Sequence, residues 1–139
     1  MPVRDIARRE VVTAKPDTPI AAVASELRDL KVGSVVIEEA GAPVGIVTDR
    51  DIAVRVVAAE RDPAETTAAD VMTEDPVTVD SDAGVFAVID AMLDNAVRRI
   101  PIVDDGRIDG ILTHDDLTRL LAEESRELAA VVESESPAY

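Results

Sequence analysis

The sequence predicts a mixed α/β (α+β) fold made of two copies of one strand–helix–strand–strand–helix unit. Three observations carry this reading. An internal repeat runs at a constant offset, the apolar spacing changes between strand-like and helical in the same order in each copy, and 47% of the 139 residues are hydrophobic, enough to bury a core. The register is clearest between Gly45-Ile46-Val47-Thr48-Asp49-Arg50-Asp51 and Gly110-Ile111-Leu112-Thr113-His114-Asp115-Asp116, which stand 65 residues apart. The same offset continues upstream without a gap: Asp5 meets Asp70, Val12-Thr13 meets Val77-Thr78, Asp17 meets Asp82, Ile37 meets Ile102 and Gly41 meets Gly106. Two copies are too few for a stacked solenoid, which needs about three or more repeats. The arrangement expected is a pseudo-twofold pair in which each copy buries the other.

Each element has a local reason. Val11-Val12-Thr13-Ala14 reads as a short strand, closed by Lys15-Pro16-Asp17-Thr18-Pro19, where Thr18 would cap a helix and Pro19 take its first position. Ile20, Val23, Ala24, Leu27 and Leu30 follow helical spacing. Gly33 to Ile37 is an apolar strand, Glu39-Ala40-Gly41-Ala42 a turn and Val44 to Val47 the returning strand, and a second helix starts near Thr48 and runs through Ile52 and Val56. The second copy repeats the pattern with Val77-Thr78-Val79, then Val85, Val88, Ile89 and Met92, then Ile100 to Val103, the Asp104-Asp105-Gly106-Arg107 turn, Gly110 to Leu112, and a helix through Leu117, Leu120 and Leu121. The units are thus 1–60 and 68–123, joined by a polar linker, 61–67, and followed by an acidic extension, 124–139. Leu128, Val131 and Val132 prolong the last helix into that extension, and the end at Ser134-Glu135-Ser136-Pro137 is expected to fray.

Composition narrows the function classes. Fourteen Lys and Arg against 29 Asp and Glu give a net charge of −15, a field that repels nucleic-acid backbones and anionic membrane surfaces. With no Cys and a single His, His114, disulfides, thiolate zinc sites and Cys nucleophiles are excluded. The start, Met1-Pro2-Val3-Arg4-Asp5, has no apolar signal segment, and no uncharged stretch is long enough to span a bilayer, so the expectation is a cytoplasmic protein. Only Lys15 and Lys31 are lysines, and the aromatic residues are Phe86 and Tyr139; an acidic, Lys-poor surface over an aliphatic core reads as adaptation to high salt.

The unit ending in Gly-x-x-Thr-x-x-Asp, present twice, resembles the cystathionine-β-synthase-type (CBS) domain pair, or Bateman module. The resemblance spans about Val3 to Leu121 and includes Val3-Arg4-Asp5-Ile6, Asp70-Val71-Met72-Thr73, Val97-Arg98-Arg99-Ile100-Pro101-Ile102-Val103 and the Asp-Gly turn. It implies two clefts that take AMP, ADP, ATP or an adenosyl ligand such as S-adenosylmethionine. Thr48 and Asp51 would serve one cleft and Thr113 and Asp116 the other, each Thr near phosphate and each Asp accepting from the ribose hydroxyls. The Asp51 cleft would take Val77 and Thr78 beside the base and Arg98 and Arg99 on the phosphates. The Asp116 cleft would take Val12 and Thr13 beside the base, with Gly33 and Ser34 where the first has arginines. Chemistry agrees, because an ionised Asp is acceptor-only and can receive both protons of a cis-diol, while Arg forks suit phosphate.

Plainer readings stand beside these. Thr-x-x-Asp ahead of an apolar helix is also a capping box. Arg98 and Arg99 could be surface arginines among carboxylates, His114 an exposed residue at a helix start, and the runs Asp80-Ser81-Asp82 and Asp104-Asp105 caps and turns rather than cation sites. No nucleophile with a base partner is visible, so the expectation is a non-enzymatic regulatory module with no required cofactor and no metal. It would form a homodimer through Val54, Val57, Leu117, Leu120 and Leu121 and act on an enzyme or transporter. The alternative is a structural dimerisation or docking module whose clefts are vestigial.

Overall fold

The computed structural model describes residues 1–135 and 137. One 3₁₀ turn (Val3–Asp5) precedes β1 (Thr13–Ala14), α1 (Ile20–Leu30), β2 (Ser34–Glu39), β3 (Ala42–Thr48) and α2 (Asp49–Ile52), which widens into a π-helical turn over Ala53–Val57. The second copy supplies α3 (Ala68–Val71), β4 (Thr73–Glu74), β5 (Val79–Asp80), α4 (Val85–Asn95), β6 (Arg99–Asp104), β7 (Arg107–Thr113) and α5 (His114–Glu135). The bounds of α1 and α4, of β2 and β6, and of β3 and β7 differ by the same 65 residues as the sequence.

Within each copy the first strand runs parallel to the second through a helical crossover, and the second pairs antiparallel with the third. The β2–β3 hairpin turns on Ala40 and Gly41, with φ of 51° and 83°, and the β6–β7 hairpin on Asp105 and Gly106, with φ of 50° and 76°. Two consecutive positive φ values define a type I′ turn, whose twist matches that of the flanking strands, and this is why a Gly stands second in each. Ile20, Val23, Val35, Ile37 and Val47 form one core, and Val88, Ile100, Ile102, Leu112 and Leu117 the other.

The cores do not coincide with the sequence copies, because each copy lends its leading segment to its neighbour. Val3 is buried in the second core, while Ala68 and Val71 are buried in the first. The exchange is reciprocal bond for bond: Val3 N donates to Ala83 O and Ala68 N to Thr18 O, both at 2.8 Å. Beyond these turns, Thr73 of β4 pairs with Ile46 of β3, and Arg8 bridges to Ile111 of β7. Such matched exchanges are what a pseudo-twofold pair requires, and β3 and β7 meet along the interface.

Four expectations need correction. Thr18 does not cap α1. Its Oγ1 accepts from Lys15 N, Pro19 takes the cap position, and the free N–H groups of Ile20 and Ala21 donate to Thr66 O and Pro63 O, so the 61–67 segment folds back to close that helix end. The first strands are shorter than expected, since Val77 and Thr78 precede β5. Leu117 belongs to the second core and is only 5% exposed, so it offers nothing to an outside partner; Leu120 is half-buried, and Val54, Val57 and Leu121 remain exposed. The acidic extension is helical through Glu135, so the last helix runs into the Ser134-Glu135 segment expected to be irregular, and Ser136 lies outside the described residues.

Candidate functional site

The motif threonines stand where a strand ends and a helix starts. Thr48 Oγ1 accepts from Asp51 N at 3.1 Å and Asp51 Oδ2 accepts from Thr48 N at 2.9 Å. Thr113 and Asp116 repeat the pair, each bond at 3.1 Å. Both strings are therefore complete capping boxes, as the plain reading of the sequence expects, but each box uses only one carboxylate oxygen. The helix starts are also pinned to the neighbouring strand entry: Asp49 N donates to Gly33 O and His114 N to Arg98 O, at 3.1 and 2.7 Å.

Between the copies lies an open cleft of about 1700 Å³. The two clefts expected from the sequence form one continuous space, because Thr48 and Asp51 from one copy and Thr113 from the other line the same cavity. Val12, Thr13, Gly33, Ser34, Arg98 and Arg99 line it as well. Val77, Thr78 and Asp116 are not among its lining residues, and Val77 packs against the second core instead. The apolar wall is aliphatic, with Val12, Val32, Ile46, Val97 and Ile111.

Charge is distributed unevenly. Seven of the chain's 14 Lys and Arg line the cleft, against five of its 29 acids, and of these cations Arg8 and Arg9 are paired with Asp116 and Asp109, which do not line it. Arg99 reaches across the pair: a Cβ built on Gly33 would lie 3.1 Å from its Nη2 and 3.8 Å from Asp49 Oδ2. Gly33 thus leaves room for the guanidinium at the entrance to α2. Arg98, 74% exposed, reaches Asp115 at 3.7 Å, and His114 is exposed beside the same Asp115. Asp82 N donates to Asp80 Oδ1 and Asp105 sits in the hairpin turn, so those acids serve turns; among the described residues no group of three or more acids or His could hold a metal ion.

Sequence reasoning missed Arg8. Its Nε and Nη2 donate to Asp116 Oδ1 at 3.0 and 2.7 Å, and Nε also reaches Oδ2 at 3.2 Å. Burial pushes the Asp116 carboxyl up, but the hydrogen bonds from Arg8 and Thr113 and the Arg8 charge outweigh it and hold the group below its ordinary value. The Asp116 hydrogen bond in turn raises Arg8. A signal was present, since Arg8 aligns with Thr73 at the repeat offset and so breaks the internal symmetry.

Comparison with known proteins gives the same frame. The CBS domain family model matches residues 3–58 and again 68–123. The chain is 38% identical over 120 residues to protein MK0525 of Methanopyrus kandleri, covering 85% of this chain and 61% of that one, so it spans about three fifths of that relative's length. The CBS domain pair of protein MJ0100, in complex with 5′-methylthioadenosine and S-adenosyl-L-methionine, superposes with a TM-score of 0.80 at 30% identity, over 89% of this chain and 98% of that one. The CBS domain protein PAE2072 of Pyrobaculum aerophilum, complexed with AMP, does so with a TM-score of 0.77 at 27% identity, over 84% and 90%.

Proposed function

From the premise that the chain belongs to the CBS domain family and carries that domain twice, we propose that it is a regulatory module that senses an adenine nucleotide or a related adenosyl ligand in the cleft between its copies. The observation that carries the proposal is the pairing of opposite needs in one cavity. Asp51 offers a carboxylate oxygen not used by its capping box, and Arg50, Arg98 and Arg99 line the same cavity. A ribose diol needs the first and phosphates need the second. Val12, Ile46 and Val97 supply aliphatic surface for a base. The adenosyl ligands bound by the MJ0100 and PAE2072 proteins support the same ligand class.

The reading is regulatory rather than catalytic, in keeping with a CBS domain match over both copies and with the sole imidazole, His114, lying exposed beside Asp115. Ligand binding acts through differential affinity for two arrangements of the pair, and the regulated partner is an enzyme or transporter. The proposal includes a homodimer through exposed apolar helix surface at Val54, Val57 and Leu121, in a cytoplasm of high ionic strength. Among the described residues no helix is long and apolar enough to cross a membrane.

The test is direct. Nucleotide released from purified, denatured protein is read at 260 nm against a chain with no Trp and a single Tyr, and calorimetry follows with AMP, ADP, ATP and S-adenosylmethionine. At least one ligand is expected to bind, and to be lost in Asp51→Ala. Binding of none, with light scattering that still gives a dimer, selects the docking module instead.

A further inference from the structure

The two copies differ most where their sequences are most alike. Asp51 Oδ2 accepts from Thr48 N, and the nearest cation to its Oδ1 is Arg55 Nε at 3.9 Å, beyond hydrogen-bond reach. Asp116 Oδ2 likewise accepts from Thr113 N, but Oδ1 is held by two guanidinium nitrogens of Arg8 at 2.7 and 3.0 Å. Arg8 lines the cleft and Asp116 does not, whereas Asp51 does. The guanidinium thus stands between Asp116 and the cavity.

The backbone delivers Arg8 to that place. Arg8 N donates to Ile111 O at 2.9 Å and Ile111 N to Arg8 O at 3.0 Å, as β4 sets Thr73 against Ile46 in the other half. The two positions are equivalent, and only one carries a side chain long enough to reach the motif carboxylate. The fork is charge-assisted and held by two donors, so a ribose diol reaches the Asp116 carboxylate only by first displacing the Arg8 side chain.

We infer that Arg8 is a built-in occupant of the second half-site, so that each chain takes one adenosyl ligand, at Asp51, and the Asp116 half becomes available only when Arg8 is withdrawn. The inference rests on the proposed function and adds the stoichiometry and the residue that sets it. Position 8 decides whether the half is open, and Thr73 is the open form of the same position.

Calorimetry on the full chain with AMP, and in parallel with S-adenosylmethionine, tests this. Wild type is expected to bind one ligand per chain. Arg8→Thr, which installs the residue of the other copy, should bind two, the second within about tenfold of the first, and adding Asp116→Ala to it should return the count to one. Arg8→Gln, which keeps part of the aliphatic stem and a polar end without the charged fork, should also reveal the second event and covers the case in which the Thr variant does not fold. The reciprocal Thr73→Arg should weaken the wild-type event at least tenfold. Two ligands on wild type, or one on both Arg8 variants with the first event intact, would overturn the inference while leaving the functional reading in place. No binding of either ligand to wild type or variants removes the functional reading and this inference with it.

Discussion

Asp51 and Asp116 close the same Gly-x-x-Thr-x-x-Asp pattern, cap helices with the same pair of bonds and lie one repeat apart, yet one faces the cleft and the other faces an arginine 108 residues earlier in the chain. The difference arises in the segment that each copy lends to the other, which presents Arg8 in one half and Thr73 in the other. Internal repetition therefore preserves what a short window decides. It does not preserve which side chain the neighbouring copy brings to the site.

The largest expected effect separates the two aspartates as ligand groups. Hydrogen bonds to a charged acceptor contribute about 1.5–3 kcal/mol each, so losing two at Asp51 should weaken nucleotide binding by roughly 100-fold or more. Asp116→Ala should change wild-type binding by less than about threefold, since Arg8 already holds that carboxylate. Asp51→Asn, which retains the capping acceptor, isolates the charge from the helix start. Equal losses from Asp51→Ala and Asp116→Ala, measured by calorimetry, would break the comparison.

A second contrast uses equivalent glycines. A Cβ on Gly110 would lie 2.9 Å from the backbone oxygen of Arg8, whereas on Gly45 it would overlap Met72 Sδ and lie 2.8 and 3.1 Å from that residue's Cγ and Cβ. Gly110→Ala should cost about 1–3 kcal/mol and lower Tm by roughly 3–10 °C, and Gly45→Ala, which must push Met72 off the first core, should cost at least as much. Because the crowded atom belongs to Arg8, Gly110→Ala should also loosen the guanidinium from Asp116 and let a weak second ligand appear. An unchanged Tm for Gly110→Ala in thermal melts would show that the second half is not braced against the Arg8 backbone.

A third contrast is read in acid. The Asp116 carboxyl lies below its ordinary value in the folded chain, so the stability it contributes is complete above the unfolded value of about 3.9 and is lost as pH falls through the folded one. Arg8 is 56% exposed, and solvent screening limits the pair to about 1 kcal/mol. Melting curves of wild type and Arg8→Thr should differ by a few degrees from pH 7 down to about pH 4 and converge below that. A gap that persists at pH 2 would assign the stabilisation to packing of the Arg8 stem.

The smallest contrast sets the cleft against the remaining surface. Screening length falls from about 30 Å at 0.01 M salt to about 3 Å at 1 M, so molar KCl should relieve the repulsion of a −15 chain and raise Tm by a few degrees. Contacts inside the cleft are screened less than those on the open surface, and AMP affinity at the Asp51 half should change by less than about tenfold. A flat or falling Tm would remove both the repulsion argument and the proposed high-salt habitat.

Much of the site was legible because its parts are local. Thr48 with Asp51 and Thr113 with Asp116 are bonded over three residues, and the hairpins turn on two, so the residue types at those spacings announce them. Thr18 was misread because the groups that satisfy the start of α1 come from Pro63 and Thr66, and Leu117 because helical spacing tells which residues share a face but not which face a core covers.

By itself the sequence determined that there are two copies, that each runs strand, helix, strand, strand, helix, and that each Thr-x-x-Asp is able to cap a helix. Only the tertiary structure decided that the copies exchange their leading segments, that the expected clefts merge into one, and that Arg8 covers Asp116 while Asp51 stays open to the cleft. The reason is range. Helix spacing, turns and caps are satisfied within a few residues, whereas an ion pair across 108 residues exists only once the first copy's leading segment has docked on the second copy's sheet.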